Sequence, residues 1–577
     1  MKFKHLAEFF QRLEDTSKRL EMVDILSELF NEAVKTHKED IDQIVYLTQG
    51  QLLPPFRDQE FGISEKLIQR SISEVFQKKD SEIEKIFQNK GDYGLVAGIL
   101  CLNESSKLSV SDIYRSLTEL AQISGDGSVQ KKVDFIGSLL KKCCSIESKY
   151  IVRIILGKLR LGVGDPTVLD GLSLAYQGDK SLRADLERAY NLCSDLGFVA
   201  KILFLKGGGR IANFEVIVGC PIRVALAARL STPEQIIEKI GSCAVEEKYD
   251  GFRCQVHKQG NKIQIYSRNL ENTTHMFPEI IQGALDQIKL DNVIFEGEAL
   301  AYDPRTGLCL PFQQTVQRKR KHGIEEMQEK FPLKVFVFDI LFADRDLTTL
   351  GYLERREIME KVIAKGKVLE ISAVERVDTV SRLTEIFEDA VAQGSEGIVA
   401  KRLDGPYKAG GRNFNWIKLK QSYSGQLNDT IDCVVVGYYF GKGVRAAFGI
   451  GSLLACVYDQ KTDTFKTVAK LGSGLSEDDL VRFKRIFDKI KVNSKPKEVD
   501  SRMNADVWVE PKYIVEVQAD EITKSPVHTC GIAENDSTGY ALRFPRTVGF
   551  VREDKSAKDA TTVDEVKKMF ELQGRKK

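Results

Sequence analysis

The chain has 577 residues and a mass of 64.9 kDa, more than one hydrophobic core usually supports, so roughly three or four domains are expected. Its 42% hydrophobic and 29% charged residues exclude wholesale disorder. The balance of 85 basic and 83 acidic side chains, a formal charge of +2, excludes a histone-like polycation without excluding local basic surfaces. No stretch reaches the roughly 20 apolar residues of a membrane span. The start, MKFKHLAEFFQRLEDTSKRLE, carries acids too early for a secretory signal or transit peptide. These readings predict a cytoplasmic protein with no membrane partner. The 11 cysteines include no CxxC pair, and the six histidines show no HxxxH or HExxH spacing. Reduced, mostly buried thiols are expected, and any metal should be a hard cation on oxygen ligands.

Residues 1–215 read as an all-α domain. Leu6, Phe9, Phe10 and Leu13 follow the i, i+3, i+4, i+7 spacing of one helical face, and Met22, Ile25, Leu26 and Leu29 repeat it. SVSDIYRSLTELAQIS opens on Ser and Asp capping candidates and then runs periodic. Two glycine-rich loops, LGVGDPT at Leu161–Thr167 and LKGGGR at Leu205–Arg210, offer amides and a cation to phosphate, although such loops also serve as plain connectors. Residues 216–422 change texture: FRCQVH, KIQIYSR, VIFEGEAL, LKVFVFDIL and EGIVAKR are short strands among turns and helical stretches such as LERREIMEKVI. Without a clean β-α-β alternation, an α+β domain with largely antiparallel sheets is expected. Residues 423–577 carry denser strands and glycine-rich turns, predicting a small β-barrel, then a final helix from Val563 with a basic end.

Among phosphate-binding patterns, GKGVRA at Gly441–Ala446 has the glycines of a dinucleotide fingerprint, but strand-like AFGIGSLLACVYD follows it instead of a helix. No GK is followed by Ser or Thr in a P-loop frame, so a Walker-type ATPase is also set aside. The stronger signal is Glu246-Glu247-Lys248-Tyr249-Asp250-Gly251-Phe252-Arg253, where a lysine, a tight turn and an alternating strand place Lys248 and Arg253 near one small pocket. Burial and neighbouring cations favour the neutral amine, the form that attacks an electrophile. Glu296 and Glu298 lie two apart on a strand and share a face, an arrangement that asks for a cation or base between them. Glu396 and Lys401 follow in EGIVAKR, and Trp416, Lys418 and Lys420 share one strand face. From Lys401 to Ser422 six basic residues stand against Asp404 alone. Cationic density beside carboxylates suits a polyphosphate with a divalent metal, and so a nucleotidyl site.

KYDGFR resembles the KxDGxR signature of covalent nucleotidyltransferases. SRN at Ser267–Asn269, FEGE at Phe295–Glu298, VFDIL around Phe338, EGIVAK at Glu396 and WIKLK at Trp416 follow in that superfamily's order. RFPRTVGFVREDKSAKDATT, Arg543–Thr562, looks like the last motif of ATP-dependent DNA ligases. GKLRLGVGDPTVLDGLSLAY is similar to the helical DNA-binding domain of archaeal and eukaryotic replicative ligases, and the chain as a whole looks most like the archaeal type.

The resemblance implies an all-α DNA-binding domain (1–215), an α+β nucleotidyltransferase or adenylation domain (216–422) and a C-terminal OB-fold (423–577). It implies sealing of nicks in duplex DNA during replication, repair and recombination, with ATP as substrate and Mg²⁺ or Mn²⁺ as metal. Lys248 would attack the α-phosphate of ATP and expel pyrophosphate; AMP would pass to the 5′-phosphate of the nick, and the 3′-hydroxyl would displace it. By position, Glu246 matches the residue that reads adenine, Arg253 and Arg268 contacts to ribose and to phosphate or the nick end, Glu298 a ribose or metal contact, and Glu396 a metal-associated carboxylate. Phe338 matches a ring stacked on adenine; Arg412 and Lys418, with Lys420 in support, match cations near the phosphates. Arg546, Arg552, Lys555 and Lys558 match a motif that orients pyrophosphate from a mobile barrel. Ala409-Gly410-Gly411-Arg412 lacks the Pro and Lys usual in the family. The implied partners are nicked double-stranded DNA and a sliding clamp, for a monomer associated with the nucleoid; His5–Phe10 is only a partial clamp-motif look-alike and reads as core.

Without the resemblance, Phe338 reads as a core ring, Lys401 and Lys420 as surface charges, and QRKRKHG (Gln317–Gly323) as either a DNA-phosphate contact or a solvated helix end. An RNA ligase or a GTP-using capping enzyme is the nearest alternative, and the helical region of about 215 residues speaks against both. A DNA-binding scaffold without chemistry is the other, against which stand the intact lysine, acids and arginines.

Overall fold

The computed structural model describes every residue except 58–59, 311, 321–322, 393–394, 421–429, 442–447, 520, 533–536, 549–550, 553 and 574–577, and the side chains of 312–313, 391–392, 521 and 573. GKGVRA, apart from Gly441, and the boundary expected at 422/423 lie outside the described residues.

Helices run from Phe3–Asp15 to Gly208–Ala212. The first buries Leu6, Phe9, Phe10 and Leu13, as their spacing predicts, so the apolar residues of His5–Phe10 face the core, while His5 itself bonds to Glu8 and Glu32. Arg19–His37 buries Met22, Leu26 and Leu29, with Ile25 at the margin of the stripe. Ser109 starts Val110–Gln122 with a capping box, its hydroxyl accepting from the Asp112 amide and the Asp112 carboxylate accepting from the Ser109 amide. LGVGDPT ends on helix Asp165–Gln177, with Pro166 in the first turn, where its missing N–H loses no bond. The helical core is continuous with the central region through Ile222, Ala225, Leu341, Tyr407 and Trp416. Apolar contact, not a flexible tether, therefore joins the two regions.

The central region carries β1 (Leu226–Arg229), β2 (Cys243–Glu247), β3 (Phe252–Gln259), β4 (Lys262–Ser267), β5 (Asn292–Ala301), β6 (Leu333–Ala343), β7 (Leu369–Ile371), β8 (Val374–Val377), β9 (Gly397–Arg402) and β10 (Arg412–Lys420). One sheet has the order β1-β10-β9-β2-β8 and the other β4-β3-β5-β6-β7. Only the edge pairs β1–β10 and β6–β7 are parallel, so the expectation of largely antiparallel sheets holds.

In the C-terminal region β11 (Ile431–Tyr439), β12 (Ser452–Asp459) and β13 (Thr464–Leu471) form an antiparallel centre. Short strands at Val507–Val509 and Ile514–Gln518 both pair with β11, curling the sheet into a half-barrel. The final helix is Val563–Gln573. The 11 cysteines are free, and Cys309 alone is exposed. Among the described residues no helix is long and apolar enough to cross a membrane.

Candidate active site

A cavity of about 730 Å³ is lined by strands of both central sheets and by the C-terminal region. Lys248 directly follows β2. Its amide donates to the Gly397 carbonyl (2.9 Å) and its carbonyl accepts from the Glu396 amide (3.1 Å), so the ladder itself sets Glu396 beside Lys248. Gly397 has φ +144°, and a β-carbon there would lie 2.1 Å from the Leu419 carbonyl; only glycine lets β9 and β10 approach this closely. The Glu396 carboxylate meets both the Lys248 and the Lys420 ammonium. Burial alone would raise its pKa, but the two cations hold it well below the usual carboxylate range.

Glu246 lies deeper. Lys401 Nζ donates to it (2.9 Å) and to the Phe338 carbonyl (2.7 Å), and the Tyr352 hydroxyl donates to the same Glu246 oxygen. Lys401 is therefore no surface charge: burial lowers its pKa against the pull of Glu246. The Phe338 ring, half-buried, meets Trp416 edge-on (5.8 Å, 86°) and has the Arg253 and Lys401 cations 5.2 and 5.1 Å from its centroid. An acceptor, an ammonium donor and a partly open ring together make a slot for a planar heterocycle.

Arg253, Gln255 and His257 alternate on one face of β3. Arg253 donates to Glu296 (2.6 Å) and to the Ala225 carbonyl (2.9 Å), and Tyr407 adds a hydroxyl bond to Glu296 (2.7 Å). The Gln255 amide donates to Glu296 (3.1 Å) and to the Ile222 carbonyl (2.9 Å) and accepts from the Ile222 amide (2.8 Å), while the Gly219 amide donates to His257 (2.9 Å). The connector between the helical and central regions is thus bonded to the residues behind the pocket. Glu296 and Glu298 consequently differ. The first is a buried partner of Arg253; the second opens on the cavity, where burial pushes its pKa up to about 7 against the pull of Lys248 and Arg253.

From the C-terminal region Glu516, Arg552, Asp554 and Lys555 reach the cavity. Asp432 binds both Lys555 (2.5 Å) and Arg229 of β1 (3.2 Å). Burial lowers Lys555 to about 8, although Asp432 opposes the shift. Arg546 and Lys558 do not line the cavity; Lys558 pairs with Asp463 (2.9 Å) beside a larger space of about 1220 Å³ between all three regions. Much of the charge around that larger space is internally paired, as in Arg153–Asp92 and Arg223–Asp165.

All nine residues singled out for the site, Glu246, Lys248, Arg253, Arg268, Glu298, Phe338, Glu396, Arg412 and Lys418, line the one cavity. Arg412, however, is ion-paired with Glu565 of the final helix. Lys418 is pushed well below the ordinary lysine range by burial and then by Arg229 and other cations. Sequence reasoning missed Tyr352, Tyr407, Gln255 and Asp432, none of which stands in a recognisable pattern. Of QRKRKHG, Arg318 is fully buried against Glu279 (2.5 Å), which fits neither expectation for the run.

A lysine held by a carboxylate, a slot for a base and convergent cations define an enzyme of nucleotidyl transfer. The family models for the ATP-dependent DNA ligase domain, the DNA ligase N terminus and the ATP-dependent DNA ligase C-terminal region match residues 224–420, 2–173 and 446–555. A Dictyoglomus turgidum protein named Probable DNA ligase is 50% identical over 100% of this chain and 99% of its own, and a Sulfurisphaera tokodaii DNA ligase 41% over 100% and 98%. A solved mycobacterial DNA ligase D complexed with ATP and MES aligns over 59% of this chain and 97% of its own, with 22% identity and a TM-score of 0.33. The chain belongs to the ATP-dependent DNA ligases, and it seals nicks in DNA with ATP as substrate.

Proposed function

We propose that Lys248 is the nucleophile of this ligase. One observation carries the reading: its amine opens on the cavity, paired with a Glu396 carboxylate that it shares with Lys420 of β10, and Lys418 lines the same space. Nζ attacks the α-phosphorus of ATP, forming a P–N bond as the bond to pyrophosphate breaks; its proton passes to solvent, to which the Lys248–Glu396 pair stays open. The 5′-phosphate of the nick then attacks the same phosphorus and breaks the P–N bond. Attack by the 3′-hydroxyl on the activated 5′-phosphate releases AMP. The first and third transfers move charge onto a departing phosphate, pyrophosphate and then AMP, which Lys418, Lys420, Arg552 and Lys555 are placed to meet; in the second the departing group is the Lys248 amine. Glu246 and Lys401 supply an acceptor and a donor to the adenine edge, Phe338 its face, and Arg253 and Arg268 contacts to ribose and to phosphate.

Glu298 and Glu396 suit a divalent cation, Mg²⁺ or Mn²⁺. Glu298 is a cavity-facing carboxylate raised by burial that lacks a bonded cation among the described residues, and no group of three or more metal-type side chains stands beside it. One or two carboxylates plus substrate oxygens is the arrangement magnesium favours with nucleotides. The ion would neutralise charge on the phosphates. The half-barrel of residues 423–577 fits an OB-fold, and 1–215 and 216–422 fit the DNA-binding and adenylation domains. Intact-mass measurement before and after ATP with magnesium tests the core claim: the parent gains one AMP and Lys248→Ala gains none. A labelled Lys248→Ala protein would refute it.

A further inference from the structure

We propose that Lys319 is a phosphate-binding residue of this site, receiving either the 5′-phosphate of the nick or the triphosphate of ATP; the inference rests on reading the Lys248 cavity as the ligase centre. Ten lysines and arginines line the cavity. Eight have a carboxylate within ion-pair reach, leaving only Lys319 and Lys418 without one among the described residues. A paired cation must give up or share its acid before it serves an incoming phosphate, whereas an unpaired, half-buried ammonium keeps its full charge for that anion. Lys418 sits in a motif that already explains it. Lys319 belongs instead to the basic run QRKRKHG, which none of the family motifs covers.

The local structure shows how it is presented. Thr315 is buried and its hydroxyl accepts from the Ala301 amide (3.1 Å), which ties the segment to the end of β5. The 3₁₀ turn Val316–Arg318 follows, and the buried Arg318–Glu279 pair pins its other end. Lys319, the next residue, emerges at the cavity with its ammonium 5.2 Å from the centroid of the Phe252 ring. Phe252 begins β3, four residues after Lys248, so this cation and the nucleophile flank the same turn. A ring holds an ammonium in place without neutralising it. Two adjacent basic residues thus divide their work: Arg318 is the anchor and Lys319 the charge offered to substrate.

The test uses the full chain with Lys319→Ala and Lys319→Arg in two arms. One follows lysyl-adenylate formation at subsaturating ATP; the other follows sealing of a nick whose 5′-end already carries AMP, without ATP. If the anion is the nick phosphate, Lys319→Ala charges within about twofold of the parent but seals about tenfold more slowly, and its DNA affinity falls less steeply with salt, by about one unit of log–log slope. If the anion is ATP, charging drops by about tenfold and the second arm is unchanged. Recovery of most of the loss in Lys319→Arg supports either source, and absence of recovery points to packing and overturns the proposal. Parental rates in both arms for Lys319→Ala also overturn it. Failure of the ligase reading itself would appear differently, as label retained by Lys248→Ala.

Discussion

Two lysine–glutamate pairs share this cavity and do opposite things. Lys401 and Glu246 are 1% and 3% exposed, 2.9 Å apart, and bonded in addition to the Phe338 carbonyl and the Tyr352 hydroxyl respectively. Lys248 and Glu396 are 24% and 27% exposed, and Glu396 is shared with Lys420. The first pair has lost its water and gained fixed partners, so each group is locked by the other. The second keeps access to solvent and divides its acid between two ammoniums, so an arriving phosphate can take the acid's place. Residue type says nothing of this difference. Burial and the number of partners decide which lysine is framework and which is reactive.

The comparison breaks most decisively at Lys248. Replacing it with Ala should abolish lysyl-adenylate formation, a loss on the order of 10³-fold or more. Stability should change by less than about 1 kcal/mol, because a partly exposed pair contributes little. Lys401→Met should do the reverse in kind, leaving Glu246 buried without its cation and lowering stability by about 3–5 kcal/mol in urea unfolding. A Lys401→Met protein as stable as the parent, or a Lys248→Ala protein that unfolds, would erase the distinction.

Much of this was legible in the sequence where a local rule fixes the outcome. Alternation put Trp416, Lys418 and Lys420 on one face of β10, and the i, i+3, i+4 stripe put Leu6 and Phe10 in the helical core. The Ser109 cap followed from side-chain chemistry alone. What stayed hidden depends on distant approach. Tyr407 reads as one more aromatic until the fold sets its hydroxyl between Glu296 and the Ala225 amide. Arg318 and Lys319 are adjacent basic residues, and only a turn separates the fully buried one from the one at the cavity. Likewise alternation placed Glu296 and Glu298 on the same face, but it carried no information that Arg253 would occupy the first and leave the second open.

A third pair sharpens the comparison with a smaller effect. Lys555 and Asp432 are 9% and 4% exposed and 2.5 Å apart, yet Asp432 also holds Arg229, so this pair is buried like the first and shared like the second. Burial lowers Lys555 from 10.5 to about 8. Between those values the folded protein has released a proton that the unfolded chain keeps, so Lys555 adds stability as pH rises through the window and withholds it below about 8. The difference in unfolding free energy between parent and Lys555→Met should therefore grow from pH 8 to 10, by at most about 3 kcal/mol. Activity should move the other way. An ammonium placed to meet departing pyrophosphate is lost as pH rises through about 8, so charging slows there, and Lys555→Arg should carry that decline to higher pH because a guanidinium keeps its proton. Superimposable charging profiles for parent and Lys555→Arg would remove Lys555 from the first transfer and leave Asp432 as a purely structural tie between the C-terminal region and β1.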